Sequence, residues 1–236
     1  MTILGPSLAL AAARALIAAG ATPLNDLEGM AVAFDKLRTA EALAYAGVPT
    51  PRSILAKDFD NLEFAIDAVG GAPVVIKPVT GAQGRGVMLA ESRAAAVAIL
   101  ENLIVTGRDH LVQELVPEAL GEDRRLLVLD GQVIAAVRRR ARPGEFRPNV
   151  HRGGRAEAIE PTSTETERAI AAARAVGLRF AGVDLLESSQ GPVVVEVNGS
   201  PGLEGIEGAT GLDLAGLVIE SLERSVSEKE EHHGVA

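Results

Sequence analysis

The sequence predicts an α+β fold in which antiparallel hairpins alternate with helices, and three stretches carry that expectation. Gly182-Val-Asp-Leu-Leu and Val193-Val-Val-Glu196-Val-Asn198 are rich in β-branched residues and are separated by Ser188-Ser-Gln-Gly191, the pattern of a β-hairpin. Asp130-Gly131 sits between the apolar runs 126–129 and 132–137, which is the strongest short hairpin signal in the chain. Pro73-Val-Val-Ile-Lys77-Pro78 and residues 87–90 read as two short strands joined by Thr80-Gly81-Ala-Gln-Gly84-Arg85-Gly86.

Composition narrows the class. A chain of 236 residues can bury a sizeable core and hold one large domain or two small ones. At 47% hydrophobic and 23% charged residues, with no apolar run near the roughly 18 residues a membrane span needs, the chain reads as a soluble globule with no membrane partner. The absence of cysteine excludes disulfides, thiolate metal sites and a cysteine nucleophile. A net charge of -9 argues against non-specific nucleic-acid binding. Residues 7–19 resemble a signal-peptide core, but Arg14 interrupts them and no basic segment precedes them. A short amphipathic helix and a cytoplasmic location are expected instead.

Taken in order, residues 4–19 read as a helix and 21–26 as a short strand and turn. Residues 30–46 read as a helix carrying Asp35-Lys36-Leu-Arg38, stopped by Gly47 and Pro49. A helix over 58–69 precedes the first strand of the glycine loop, and another over 91–104 follows its second. Residues 110–116 make a strand ahead of Gly121-Glu-Asp123-Arg-Arg125 and the Asp130-Gly131 hairpin. A helix opens in 161–167 and runs to about 176, with Thr164 and Glu167 spaced as a capping box. Asp213 caps a last helix whose Leu214, Leu217, Val218 and Leu222 form one apolar stripe. Residues 227–236 read as a polar tail, with His232 and His233 as decoration rather than ligands.

The candidate site starts at the 182–198 hairpin. Side chains alternate along a strand, so Glu196 and Asn198 point one way and Val195 and Val197 the other. Asp184 joins Glu196 only if opposed residues have equal parity; a five-residue connection over 188–192 provides that, and a four-residue one reverses it. Two carboxylates and an amide oxygen would then suit Mg²⁺. The same pattern also fits a half-buried hairpin whose polar residues merely face solvent.

Basic residues offer a second clue. Arginines 138, 139, 140, 142, 147, 152 and 155 are opposed locally only by Glu145. They form either a solvated loop or an anion site, since guanidinium groups grip phosphates bidentately. Lysine is scarce, at four against nineteen arginines, which gives weight to Lys77 closing an apolar strand. The glycine loop beyond it can bring backbone N–H groups close to phosphate. It is neither a Walker A loop, because a strand follows it, nor a dinucleotide fingerprint, because the third glycine is missing.

Together, Asp35-Lys36, Val75-Ile-Lys77-Pro, Gly81 to Gly86, Val112-Gln-Glu114, Asp123-x-Arg125, Asp184 and Glu196-Val-Asn198-Gly-Ser-Pro-Gly resemble an ATP-grasp ligase. Phe146-Arg147-Pro-Asn149-Val-His151-Arg152-Gly-Gly154, Ser200-Pro-Gly-Leu-Glu-Gly-Ile-Glu207 and Thr210-Gly-Leu-Asp213 resemble the RimK-type glutamate ligases, which extend the carboxy terminus of a ribosomal protein. The resemblance runs from about residue 24 to 223. It implies two α+β subdomains with antiparallel sheets gripping ATP, over 26–116 and 117–226. Residues 1–25 would be the remnant of a preceding N-terminal domain, and 227–236 a tail. It further implies that Lys36 and Lys77 contact ATP phosphates under a lid containing Gly81, Gly84 and Gly86. Glu114 and Leu115 would meet adenine through their backbone, and Asp123 the ribose. Asp184, Glu196 and Asn198 would hold two Mg²⁺ or Mn²⁺ ions, and Arg147 and Asn149 would flank the transferred phosphoryl group.

The implied reaction joins a carboxylate, activated as an acyl phosphate, to the amine of glutamate or another amino acid on a peptide or protein C-terminal acceptor. Ligases of the same class acting on a carrier protein, cofactor tail or ribosomal peptide fit the same motifs. So does a catalytically silent ATP-binding module without its N-terminal domain. That domain would come from a separate chain or be absent, and in either case the first helix is expected to leave an apolar patch exposed or to repack in a homo-oligomer.

Overall fold

Antiparallel pairing organises both halves of the molecule, of which the computed structural model describes residues 6–81, 83–148 and 153–233. The smaller sheet has the order β1 (Ser53–Ala56), β4 (His110–Glu114), β2 (Val74–Pro78), β3 (Met88–Ala90). One face is closed by α4 (Leu62–Ala68) and α5 (Arg93–Val105), whose Leu62, Ala65, Ile66, Ala96 and Leu100 meet Val74, Ile76 and Val112 in a single apolar cluster. The alternation of Val74 and Ile76 with Val75 and Lys77 fixes which face that is. Lys77 therefore points away from the helices.

The larger sheet runs β7 (Arg155–Ala158), β6 (Gln132–Arg140), β5 (Glu122–Leu129), β8 (Phe180–Ser188), β9 (Gly191–Asn198). Leu126, Val128, Val183, Leu185, Val194 and Val197 turn toward α6 (Ser163–Val176) and its Ala169, Ala172, Ala173 and Val176. Small alanines let the helix lie close to the sheet. Leu127, Ala135 and Val137 face the other way, under Ile206 of α7 (Glu204–Thr210) and Leu214 of α8 (Leu214–His233). That second face is apolar at one end and ionic at the other.

Several local expectations need correction. Residues 21–26 form no strand; Asn25 is buried and spends its side chain on the backbone, donating to Phe180 O (2.8 Å) and Gly199 O (2.9 Å) and accepting from Arg179 N and Phe180 N. The helix expected over 30–46 is two, α2 (Leu27–Ala33) and α3 (Lys36–Tyr45). Asp35 separates them because its carboxylate caps Leu37 N and Arg38 N at 2.9 and 3.1 Å, the preferred use of aspartate at a helix start. Residues 58–69 divide likewise into a 3-10 turn, Phe59–Asn61, and α4. The capping box is Thr162 with Glu165, not Thr164 with Glu167. Both pairs have the spacing, but only Glu165 is buried, where Arg124 also reaches it.

Residues 26–116 were expected to form one unit, yet Leu43 and Val48 lie in the core of the larger sheet with α6. The expected polar tail is also helical as far as His233, because Glu and Lys favour helix and no proline or glycine intervenes before Gly234. Leu214 is buried, but Leu217 of the expected stripe is exposed. The first helix, α1 (Pro6–Ala18), lies against α2 and leaves Leu8 and Leu16 more than half exposed. No helix among the described residues is long and apolar enough to cross a membrane.

Two hairpins show how sequence sets register. Asp130 and Gly131 both take positive φ, 50° and 77°, as a two-residue turn matched to strand twist requires. Asp184 opposes Glu196 as expected, but by a different route from the five-residue connection. Ser188 pairs with Gly191 across a two-residue turn, and a bulge between Asp184 and Leu185 shifts the pairing by one. Without the bulge Asp184 would oppose Val195. The same irregularity brings Val195, expected on the opposite face from Glu196, to the cleft beside it, while Val197 stays in the core.

Candidate active site

The free face of the smaller sheet and the ionic end of the larger sheet enclose a cleft lined by Lys36, Lys77, Asp123, Asp184 and Glu196. Its apolar part is supplied by Val75, Leu115, Ala119, Leu120, Phe146 and Leu186. A charged end beside an apolar slot suits a ligand with a flat ring at one end and anionic groups at the other.

Lys77 is the last residue but one of β2 and is only 6% exposed. Burial lowers its pKa to about 8, with nearby Lys36 adding to the effect and Glu196 opposing it. Its ammonium donates to Gln113 Oε1 at 3.0 Å. Lys36, at the start of α3, donates to Gly81 O at 2.8 Å and lies 3.2 Å from Glu196 Oε1. One lysine from each side of the cleft therefore faces Glu196.

Behind them lies a four-membered ionic cluster on adjacent strands of one face. Arg125 of β5 grips both oxygens of Asp184 at 2.6 and 2.7 Å. Arg139 of β6 donates through Nε to Asp123 Oδ1 at 2.7 Å and through Nη2 to Asp123 Oδ2, with Asp184 Oδ2 3.0 Å away. The pairing Asp123↔Arg139 and Arg125↔Asp184 is dictated by strand register. Burial pushes Asp123 up to about 6 despite Arg139, and the neighbouring Asp184 adds to the rise. Burial acts on Asp184 in the same direction, but Arg125 and Arg139 outweigh it and hold its carboxyl below the ordinary range. Arg139 is correspondingly held protonated.

The glycine loop is tied to the opposite side. Arg147 Nη1 donates to Gly84 O at 3.3 Å and Val87 O at 3.1 Å. Glu145 aims it by accepting from Arg147 Nε and Nη2, both at 2.8 Å, and those hydrogen bonds pull the Glu145 carboxyl down to about 2. Arg147 also stacks over Phe146, 5.2 Å from the ring centre.

The structure brings most of the expected site together. Lys36, Lys77, Gly81, Gly84, Glu114, Leu115, Asp123, Arg147, Asp184 and Glu196 all border the cleft. Gly86 and Asn198 do not. Gly86 faces the Pro78 ring, and Asn198 donates to Gly182 O at 3.4 Å. Asn149, His151 and Arg152 lie outside the described residues. The Glu114 side chain is turned to Arg52, at 2.9 and 3.0 Å, which leaves only its backbone for the cleft. The arginine cluster is not one anion site: Arg138 and Arg140 pair with Glu122 and Glu157 on the sheet surface, and Arg142 and Arg155 are exposed. Gln113 and Arg125 stood in the sequence motifs without a task of their own, and Glu145 only as a local counter-charge. A glutamine inside the apolar run 110–116, beside a lysine-bearing strand, was the available signal for the first.

The donor set also fits a divalent cation. Among the described residues no group of three or more His, Cys, Asp or Glu side chains is gathered as a metal site, but Asp184 and Glu196 are directly opposed on β8 and β9. Two hard carboxylates that leave most positions to water and phosphate oxygens match the needs of Mg²⁺ better than a full protein cage.

Comparison with known proteins gives the same reading. A family model described as the RimK-like ATP-grasp domain matches residues 33–222. The probable alpha-L-glutamate ligase of Pseudoalteromonas translucida (strain TAC 125) is 49% identical over 210 residues, spanning 89% of this chain and 70% of that protein. The ATP-grasp ligase PsnB, solved with a phosphomimetic variant of its minimal precursor, Mg and ADP, has a TM-score of 0.69 at 28% identity over 93% of this chain and 68% of its own. A RimK domain ATP-grasp protein from Sphaerobacter thermophilus DSM 20745 has a TM-score of 0.69 at 27% identity, covering 89% and 76%. With its paired antiparallel sheets, its lysine-bearing cleft and a match over most of its length, the chain belongs to the RimK-like ATP-grasp family.

Proposed function

We propose that this protein is an ATP-dependent carboxylate–amine ligase that adds glutamate to the C-terminal carboxylate of a peptide or protein. The observation that carries the reading is the convergence, in one cleft, of buried Lys77 and of Lys36 on the Asp184–Glu196 pair. A buried ammonium held only by an amide, among the described residues, retains donors for an anion. Glutamate is taken from the probable alpha-L-glutamate ligase relatives, and Mg²⁺ with adenine nucleotide from the PsnB complex.

Each residue then has a task. Val75, Leu115 and Leu186 sandwich the adenine, and Asp123 accepts from the ribose once Arg139 shares it. Lys36 and Lys77 orient the phosphates for in-line transfer, which is mainly a matter of position and charge. Asp184 and Glu196 would hold Mg²⁺ or Mn²⁺, as two ions, which would supply neutralisation of the developing phosphate charge. Lys77 and Arg147 stabilise the acyl phosphate made from the acceptor carboxylate and the oxyanion formed when the amine attacks. The Arg147–Glu145 pair keeps the glycine loop over this chemistry and water out of it.

A ribosomally made peptide as acceptor is a second reading, favoured by the likeness to PsnB, which was solved with a precursor. ADP release with ATP, Mg²⁺ and each amino acid in turn, with mass spectrometry of the products, tests both. Glutamate-dependent ADP release with glutamate added to itself or to a peptide is the expected result. ADP release with no dependence on glutamate in the presence of peptides ending in varied residues would overturn the glutamate assignment.

A further inference from the structure

We infer that Gln113 and Ser53 form a positioning relay that aims the Lys77 ammonium into the cleft. The inference rests on the reading of Lys77 as a phosphate-binding residue. Lys77 Nζ donates to Gln113 Oε1 at 3.0 Å, Gln113 Nε2 donates to Ser53 Oγ at 2.8 Å, and Ser53 Oγ donates to Pro51 O at 3.1 Å. The three residues come from neighbouring strands of the smaller sheet. Ser53 of β1 is directly opposite Gln113 of β4, and Gln113 is directly opposite Val75, two residues before Lys77 on β2. All three side chains therefore rise on the face opposite α4 and α5.

The direction of the chain is forced at both ends. An ammonium can only donate, so Gln113 must offer it oxygen. Pro51 O can only accept, so the Ser53 hydroxyl gives its one proton there and must accept from Gln113. A glutamine at position 113 satisfies both demands at once, and no charged or purely apolar side chain does. Gln113 is itself 5% exposed, so losing either bond leaves a buried polar group short of a partner, which costs free energy. An uncharged acceptor leaves the charge of Lys77 unneutralised and fixes its stem, whereas a carboxylate at that place would hold the ammonium back from an arriving anion. Asp184 and Glu196 lie on the larger sheet, on β8 and β9, whereas Gln113 belongs to the same sheet as Lys77, so the anchor is separate from the groups that would meet the ligand.

The test is a double-mutant cycle on the full chain, reading the dissociation constants of Mg-ATP and of adenosine by calorimetry. Lys77→Met should weaken Mg-ATP and spare adenosine. Gln113→Met, which keeps volume and removes the acceptor, should weaken Mg-ATP about tenfold, as loss of a hydrogen bond to a charged group does. It should likewise spare adenosine, and should have no further effect in the Lys77→Met background. Ser53→Ala should show a smaller loss of the same kind, restored in Ser53→Thr, and serves also if Gln113→Met fails to fold. A Gln113→Met loss that persists unchanged with Lys77 already gone would overturn the relay, since it would then be general damage to the sheet. Mg-ATP affinity unaltered by Lys77→Met would instead overturn the phosphate role of Lys77 and the relay with it.

Discussion

Replacing Lys77 by methionine should change the stability of the ligand-free protein by an amount that depends on pH in a defined way. Burial takes the Lys77 pKa from 10.5 to about 8, so the unfolded chain holds this proton more tightly than the folded one. Stability from this group is fully present above the unfolded value and is lost as pH falls from 10.5 through 8. At pH 7 the accumulated loss is about 3 kcal/mol, at 1.36 kcal/mol per unit, and at pH 9.5 it is only about 1.4 kcal/mol by the same linkage. Methionine removes this dependence. Against it stands the Gln113 oxygen left without its donor, roughly 1–3 kcal/mol at any pH. Urea denaturation of both proteins at pH 7 and pH 9.5 cancels that constant. The stability difference should favour Lys77→Met by about 2 kcal/mol more at pH 7 than at pH 9.5. A difference that does not change with pH would show that Lys77 titrates at its ordinary value and is not the buried cation of the cleft.

Four further outcomes follow from the same geometry. Arg139→Met leaves Asp123 and Asp184 sharing only Arg125, and should cost about 3–5 kcal/mol by urea denaturation at pH 7; a loss under 1 kcal/mol would mean that water reaches the cluster. Arg147→Ala removes the two carbonyl contacts that hold the glycine loop, worth roughly 1–2 kcal/mol, and should speed trypsin cleavage after Arg85 roughly five- to thirtyfold. Glu196→Gln should reduce metal-dependent turnover on the order of tenfold or more while leaving the unfolding transition intact, and full activity would remove Glu196 from the metal site. Removal of divalent cations with a chelator should weaken ATP binding, as measured by calorimetry, more than it weakens adenosine binding, and equal effects on both would place the metal away from the phosphates.

The architecture was readable because its main signals are local. β-Branched runs, an Asp-Gly pair and a lysine ending an apolar strand identify both sheets and the cleft between them without knowledge of distant contacts. What escaped depended on pairs remote in sequence. Arg139 looked like one member of an arginine-rich loop until β5 and β6 placed it opposite Asp123. Arg147 stood out by its motif, but its anchoring by Glu145 and its hold on the carbonyls of Gly84 and Val87 depend on residues up to 63 positions away. The register at Asp184 was reached by the right parity and the wrong turn, because a bulge is one inserted residue whose position periodicity alone does not fix. Asn25 was invisible for a different reason: its four bonds to backbone reach groups 154 to 174 residues away, and backbone carries no sequence signature.

The ionic arrangement also explains why so much charge can be kept in a half-buried cleft. Lys36, Lys77, Arg125 and Arg139 oppose Asp123, Asp184 and Glu196, and among the described residues every one of these except Lys77 has an ion-pair partner within hydrogen-bonding reach. Unpaired, each buried charge would cost several kcal/mol; paired, the set carries a net single positive charge, and that surplus is Lys77. A nucleoside triphosphate entering without cations would turn the surplus into a large negative excess in a low-dielectric site. Under the proposed function, divalent cations entering with it would bring that excess close to zero, and Asp184 and Glu196, directly opposed on β8 and β9, would be the groups to hold them. Arg125 and Arg139 keep the Asp184 carboxylate fixed and ionised in the ligand-free cleft, so the site would not have to be charged or aimed when the cations arrive.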